Sequence, residues 1–242
     1  VRLGNLEWAE IHLKQSLDLR PGDGPTLFNL GVLQEKRNDP ASAEAAYVQA
    51  VSVLGDDPPA LTALALLRSM KPGDDTAEGL LRRALKADPE YNPGRYNLGR
   101  ILFEGGRIFD AAGAFQEVLV SDPENAEARF LLGLAFEGLG RHAEAASEFS
   151  KASRLKPGDS RILKRLGASL VKGREFGSAV LTLEKAENLS PEDPEIWLYM
   201  GVGLAMGGDE ARGKRYLEKA AAGPDKSVAD KAAEYLKGVT QE

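Results

Sequence analysis

Residues 126–159 read AEARFLLGLAFEGLGRHAEAASEFSKASRLKPGD, and residues 92–125 read NPGRYNLGRILFEGGRIFDAAGAFQEVLVSDPEN. Laid one over the other, the two strings put Leu132-Gly133 on Leu98-Gly99, Ala145 on Ala111, Phe149 on Phe115 and Pro157 on Pro123, without an insertion. The offset is 34 residues. A fixed offset of this size marks a chain built from stacked supersecondary units, so it is read before any local motif.

The same register runs outward in both directions. Repeat starts at Gly24, Pro58, Asn92, Ala126, Ser160 and Pro194 bring six columns into phase. Position 8 reads Gly31, Ala65, Gly99, Gly133, Gly167, Gly201; position 20 reads Ala43, Ala77, Ala111, Ala145, Ala179, Gly213. Position 24 reads Tyr47, Leu81, Phe115, Phe149, Leu183, Leu217; position 27 reads Ala50, Ala84, Val118, Ala152, Ala186, Ala220. Position 7 is leucine in five repeats and Met200 in the last, and position 32 is proline in four.

Each column has a mechanical reason. Positions 4, 7, 8 and 11 share one face of a first helix, and positions 20, 24 and 27 share one face of a second. Small residues at 8 and 20 let the two helices approach, and the bulky residue at 24 is expected to fill the space between successive pairs. Proline at 32 cannot continue a helix and ends the second one. Gly105-Gly106, Gly140 and Gly207-Gly208 stand where the first helix turns into the second and a left-handed backbone is needed. Pro25, Pro59 and Pro93 occupy the first turn of the first helix, where a missing N–H costs nothing.

The pattern Arg129-x2-Leu132-Gly133…Ala145-x3-Phe149-x2-Ala152-x4-Pro157 resembles the tetratricopeptide repeat. The resemblance covers essentially the whole chain and implies an all-α, right-handed superhelical solenoid of antiparallel helix pairs. Trp197 stands at position 4 as in the family; the other repeats have Leu27, Leu61, Arg95, Arg129 and Leu163 there. Repeat 2 departs furthest, with Ala65 for glycine and no glycine expected at its inner turn.

A single solenoid over 1–242 is expected: a half-repeat (second helix only) over 1–23, repeats over 24–57, 58–91, 92–125, 126–159, 160–193 and 194–227, and a capping helix over 228–242. The leading helix carries Leu6, Leu13 and Leu17, which a partner helix upstream would cover; its open edge offers a surface for self-association. Tyr235 falls at position 8 of the last helix, as suits a cap against which no further helix packs.

Composition narrows the function. The chain has 242 residues, a net charge of −6 and no cysteine. That balance does not suit a protein built to neutralise phosphates, and no base-reading column is visible, so nucleic acid is not an expected partner. No run approaches the roughly 18 apolar residues of a membrane span. The compartment is left open between cytoplasm and periplasm. His12 and His142 are the only histidines, almost four repeats apart, and His142 reads as a solvent-exposed turn residue. Asp56-Asp57 and Asp74-Asp75 read as loop and capping carboxylates rather than a metal site. No enzyme, metal or cofactor is expected.

What the resemblance implies for function is a protein-binding scaffold, with positions 2, 5, 9 and 12 of the first helices facing a concave groove that takes a peptide or helix. Those positions give Phe28, Val32, Leu66, Tyr96, Arg100, Phe103, Phe130, Leu134, Arg161, Lys164 and Leu198, with Arg165 beside them. The aromatic and apolar members stand at places the packing columns do not require. Arg161, Lys164, Arg165 and Lys172, with Arg154 and Lys156 before them, form a basic cluster that points to an acidic segment on the partner. A subgroup of the family grips chaperone C-terminal carboxylates; Arg161 and Arg165 match two of its residues in type, but Leu131, Tyr96 and Arg100 break the rest. The alternative role is an assembly or adaptor module of a larger protein, or of a bacterial envelope machine for pili or secretion.

Overall fold

The computed structural model describes residues 3–71 and 73–239, and every regular element among them is a helix. In chain order these are α1 (Leu3–Leu19), α2 (Gly24–Lys36), α3 (Pro40–Leu54), α4 (Pro58–Ser69), α5 (Thr76–Ala87), α6 (Asn92–Glu104) and α7 (Ile108–Ser121). There follow α8 (Ala126–Gly138), α9 (His142–Leu155), α10 (Ser160–Lys172), α11 (Phe176–Leu189), α12 (Pro194–Met206), α13 (Glu210–Ala221) and α14 (Lys226–Val239). The chain divides into two compact units, Val1–Val118 and Leu119–Glu242. Residues 1–2 of the expected leading half-repeat and 240–242 of the expected cap lie outside the described residues.

The helices start where side chains can satisfy their free N–H groups. Asp23 accepts from the Thr26 amide at 3.0 Å, Asp57 from Ala60 at 2.9 Å and Asn125 from Ala128 at 2.9 Å. They turn where the backbone can go left-handed. Gly106, Gly140 and Gly208 have φ of 76°, 72° and 99°, and the same place in the register is held by Asn38 at 60° and Arg174 at 63°. The inner turn of repeat 2, expected to lack glycine, does contain one: Gly73, shifted one place later in the register, takes φ 80°.

Within each unit, sequential helices pair and the pairs stack. In the first unit α2 packs on α3 and α4 on α5, with α1 against α2. In the second, α8 pairs with α9, α10 with α11 and α12 with α13, and α14 leans on both α12 and α13. The position-24 side chains Tyr47, Leu81, Phe115, Phe149, Leu183 and Leu217 are all fully buried. The pairs close tightly because position 8 has no bulk. A Cβ at Gly99 would come 2.7 Å from the Phe115 ring, and one at Gly201 would come 2.7 Å from Leu217 Cγ. Burying large side chains against bare backbone in this way is the main term favouring each pair.

The position-4 column turns out to have one job done by two residue types. Trp197 donates its indole N–H to the carbonyl of Pro191 at 3.2 Å. Arg129 donates to the Pro123 carbonyl at 2.6 Å, and Arg95 to that of Pro89. In each case a planar donor ties the start of one repeat to the proline that ended the previous one. The arginines add an ion pair: Arg95 with Glu117 at 2.8 Å, Arg129 with the largely buried Glu148 at 2.9 Å.

Candidate functional site

In the first unit the residues expected to line a groove lie on α2, α4 and α6. Phe28 sits with its ring 5.5 Å from that of Tyr47, and Tyr96 6.1 Å from that of Phe115. Phe28 and Val32 also pack on the cluster formed by Tyr47, Leu61, Leu64 and Leu81. These side chains are half-buried, as are Leu66 and Phe103. Arg100 is exposed and lies 3.5 Å from Glu104 one turn on. Tyr47 donates its hydroxyl to Glu35 at 2.6 Å, and burial, then that bond, raises its pKa.

The second unit differs. Phe130 stands 5.6 Å from the Phe149 ring and is 8% exposed; Leu198 is 3% exposed. Both were expected to face a groove and both belong largely to the core. The reason lies in the register: position 5 is one turn before the glycine at 8, so the close helix approach that glycine permits brings position 5 against position 24. Phe130 is therefore required by packing, contrary to the reading from sequence. Leu134 remains half-buried.

The basic cluster is also not a free patch. Arg161 meets Asp159 at 2.9 Å and Glu127 at 3.6 Å, with its guanidinium 5.3 Å above the Phe130 ring. Its hydrogen bond holds the Asp159 carboxyl below the usual range. Lys164 lies 2.8 Å from Asp193 and 2.7 Å from Glu195. Burial opposes its charge, but the two carboxylates outweigh that and its pKa is raised. Arg165 and Lys172 flank Glu137 at 3.9 and 3.4 Å, and the Glu137 side chain is only 9% exposed. Across α8, α10 and α12 the charges alternate acid, base, acid. The acids Glu127, Glu137 and Glu195 sit at groove positions in the sequence too; charge summed along one helix hid that each faces the next helix.

Elsewhere the structure assigns ordinary work to other expected features. Asp57 caps α4 and Asp56 takes Arg83 at 2.6 Å; Asp74 accepts from Thr76. His142 is half-buried as the first residue of α9, not a solvent-exposed turn residue, and its Nδ1 is enclosed without a partner. Among the described residues no group of three metal-ligating side chains converges, and no helix is long and apolar enough to cross a membrane. On α1, Leu6, Leu13 and Leu17 are half-buried, while Trp8 and Ile11 stay exposed, with the Trp8 ring 4.7 Å from that of His12.

A family model described as tetratricopeptide repeat matches residues 75–119 and 96–160. Residues 75–160 are thus tetratricopeptide repeats, and the chain as a whole has the fold of a tetratricopeptide repeat solenoid. Proteins of this family generally act as non-catalytic scaffolds that hold other proteins. Solved structures share its helical solenoid fold. YrrB, described as a tetratricopeptide repeat protein with an unusual peptide-binding site, is 20% identical; the match covers 79% of this chain and 99% of that one, with a TM-score of 0.72. PilF of Pseudomonas aeruginosa is 19% identical over 88% of this chain and 97% of its own, with a TM-score of 0.73. A tetratricopeptide repeat protein from Parabacteroides merdae is 19% identical over 98% of this chain and 93% of its own, with a TM-score of 0.64. At these identities the likeness is one of fold. No curated protein matches the sequence.

Proposed function

We propose that this chain binds a peptide or helix of a partner protein along the first-helix surface of its first unit, and that it has no catalytic role. The observation that carries this is the incompletely buried apolar row Phe28, Val32, Leu66 and Phe103 on α2, α4 and α6, with the exposed Arg100 at its edge. Packing satisfies only part of each of these side chains, and the rest is apolar surface that a partner would remove from water. The ion-paired surface of α8, α10 and α12 supports this placement, because a ligand there would first have to displace internal salt bridges. An apolar segment is thus favoured over an acidic one. The peptide-binding site described for YrrB is consistent with a solenoid of this fold holding a peptide.

The test is a photo-crosslinking amino acid placed at Leu66 or Phe103, and for comparison at Gln49 or Gln116, exposed on α3 and α7. In the source cell the first pair should trap a discrete partner and the second pair should not. Equal trapping from all four sites, or from the second pair alone, would move binding off this surface.

A second reading, self-association through α1, is favoured by the exposure of Trp8 and Ile11. Light scattering separates the cases: a mass of 26.0 kDa at high concentration excludes it.

A further inference from the structure

The second unit holds a cavity of about 590 Å³ well away in sequence from the surface discussed above. Its walls are the end of α12 (Ala205 and Met206) and the first residue of α13, Glu210. Its floor is one stripe of α14: Lys231, Glu234, Tyr235 and Gly238, spaced i, i+3, i+4, i+7. The size falls within the range of roughly 300–1,000 Å³ typical of ligand sites. At the end of the stripe Gly238 adds no side chain, and a Cβ built there would meet nothing within 4 Å among the described residues.

Two observations set this place apart. Met206 is 59% exposed and Tyr235 46% exposed, so large apolar surface is left wet. Around it, the side chains of Glu210, Lys231 and Glu234 make no ion pair or hydrogen bond among the described residues. On α8, α10 and α12 of the same unit, by contrast, the acids Glu127, Glu137 and Glu195 are all matched by lysine or arginine. The rim of the cavity thus carries two unmatched carboxylates against one ammonium, over a methionine and a phenol ring.

We infer that this cavity docks a segment of a partner protein that places a lysine or arginine beside an apolar side chain. The cation meets the excess negative charge of Glu210 and Glu234 and can lie over the Tyr235 ring, while its apolar neighbour covers Met206. An acidic segment would be repelled by the same rim. The inference does not rest on the binding surface proposed for the first unit, and the two involve no common residue.

Fluorescence polarisation with two labelled twelve-residue peptides tests it: one with leucines at i, i+3, i+4 and i+7 and lysines between, the other with glutamates in place of the lysines. The lysine peptide should bind the intact chain and the glutamate peptide should not. Glu210→Lys with Glu234→Lys should weaken the lysine peptide at least tenfold, and Tyr235→Ala at least threefold, with far-UV circular dichroism unchanged. Glu124→Lys with Glu192→Lys, exposed and in the same unit, makes the same change in net charge and should leave binding within twofold. If that control pair weakens binding as much, or if both peptides bind alike, attraction is to the acidic chain in general and the site is overturned.

Discussion

The backbone of Gly133 lies so close to the side chain of Phe149 that a Cβ on residue 133 would stand 2.5 Å from the ring. A glycine here is a packing requirement rather than a flexible point. Gly133→Ala should therefore destabilise the protein by about 1–3 kcal/mol through overpacking. Gly113, in the middle of α7, has nothing within 4 Å of a built Cβ. Gly113→Ala should stabilise by up to about 1 kcal/mol, since alanine is the better helix former. Urea unfolding followed by circular dichroism, with unchanged slope, reads both. Two shifts of the same sign would show that helix propensity, not the approach of α8 to α9, governs position 8.

Arg174 closes the turn between α10 and α11 at φ 63°, a region its neighbours in the register fill with glycine. A side chain with a Cβ pays roughly 1–2 kcal/mol there. Arg174→Gly should raise stability, by about 1 kcal/mol once the greater freedom of glycine in the unfolded chain is subtracted. A lower urea midpoint would mean that the arginine side chain makes contacts worth more than the backbone strain.

Arg129 and Glu148 test whether the position-4 column works as argued. Arg129→Ala removes the donor to the Pro123 carbonyl and leaves Glu148 with Lys151 alone, at 2.5 Å. A loss of about 2–3 kcal/mol is expected, the scale of a hydrogen bond to a charged group. Arg129→Trp restores the donor to Pro123 but not the partner of Glu148, and should recover part of that loss. Tryptophan doing no better than alanine would refute the shared role of arginine and tryptophan at this place.

Acid should unfold the chain in a definite window. Asp23, Asp39 and Asp74 have carboxyls held below their ordinary value of 3.8, first by the side-chain donors Thr26, Ser42 and Thr76 and then by backbone N–H groups. A depressed carboxyl contributes stability above the unfolded-state pKa near 4, and loses it as the pH falls through the folded-state value. Tm should thus hold steady down to about pH 4 and drop below it. Replacing all three by asparagine keeps a capping acceptor while removing the titration. Its Tm curve should be flatter below pH 4; an unaltered acid limb would place the titration elsewhere.

The repeat could be read from the sequence because each of its columns solves a local problem. Gly133, Ala145 and Phe149 recur at 34 residues since every helix pair must close in the same way, and Pro157 recurs since every pair must end. Such constraints act within one pair and survive in the order of residues alone. Even the departures stayed close to the pattern: Arg129 stands where Trp197 stands because either can reach the proline carbonyl behind it.

The candidate site was less legible, for a physical reason that two side chains make plain. Phe130 looked free on its helix, and only the approach of α9 to α8 showed its ring committed to Phe149. Lys164 looked like part of a bare positive face, and only the stacking of α12 beside α10 brought Asp193 and Glu195 to it. The chain order by itself determined which residues make a helix pair and which face of each helix closes it. The tertiary structure decided which of the remaining side chains are left over, because exposure and charge pairing depend on the neighbouring pair, which the register of a single repeat does not contain.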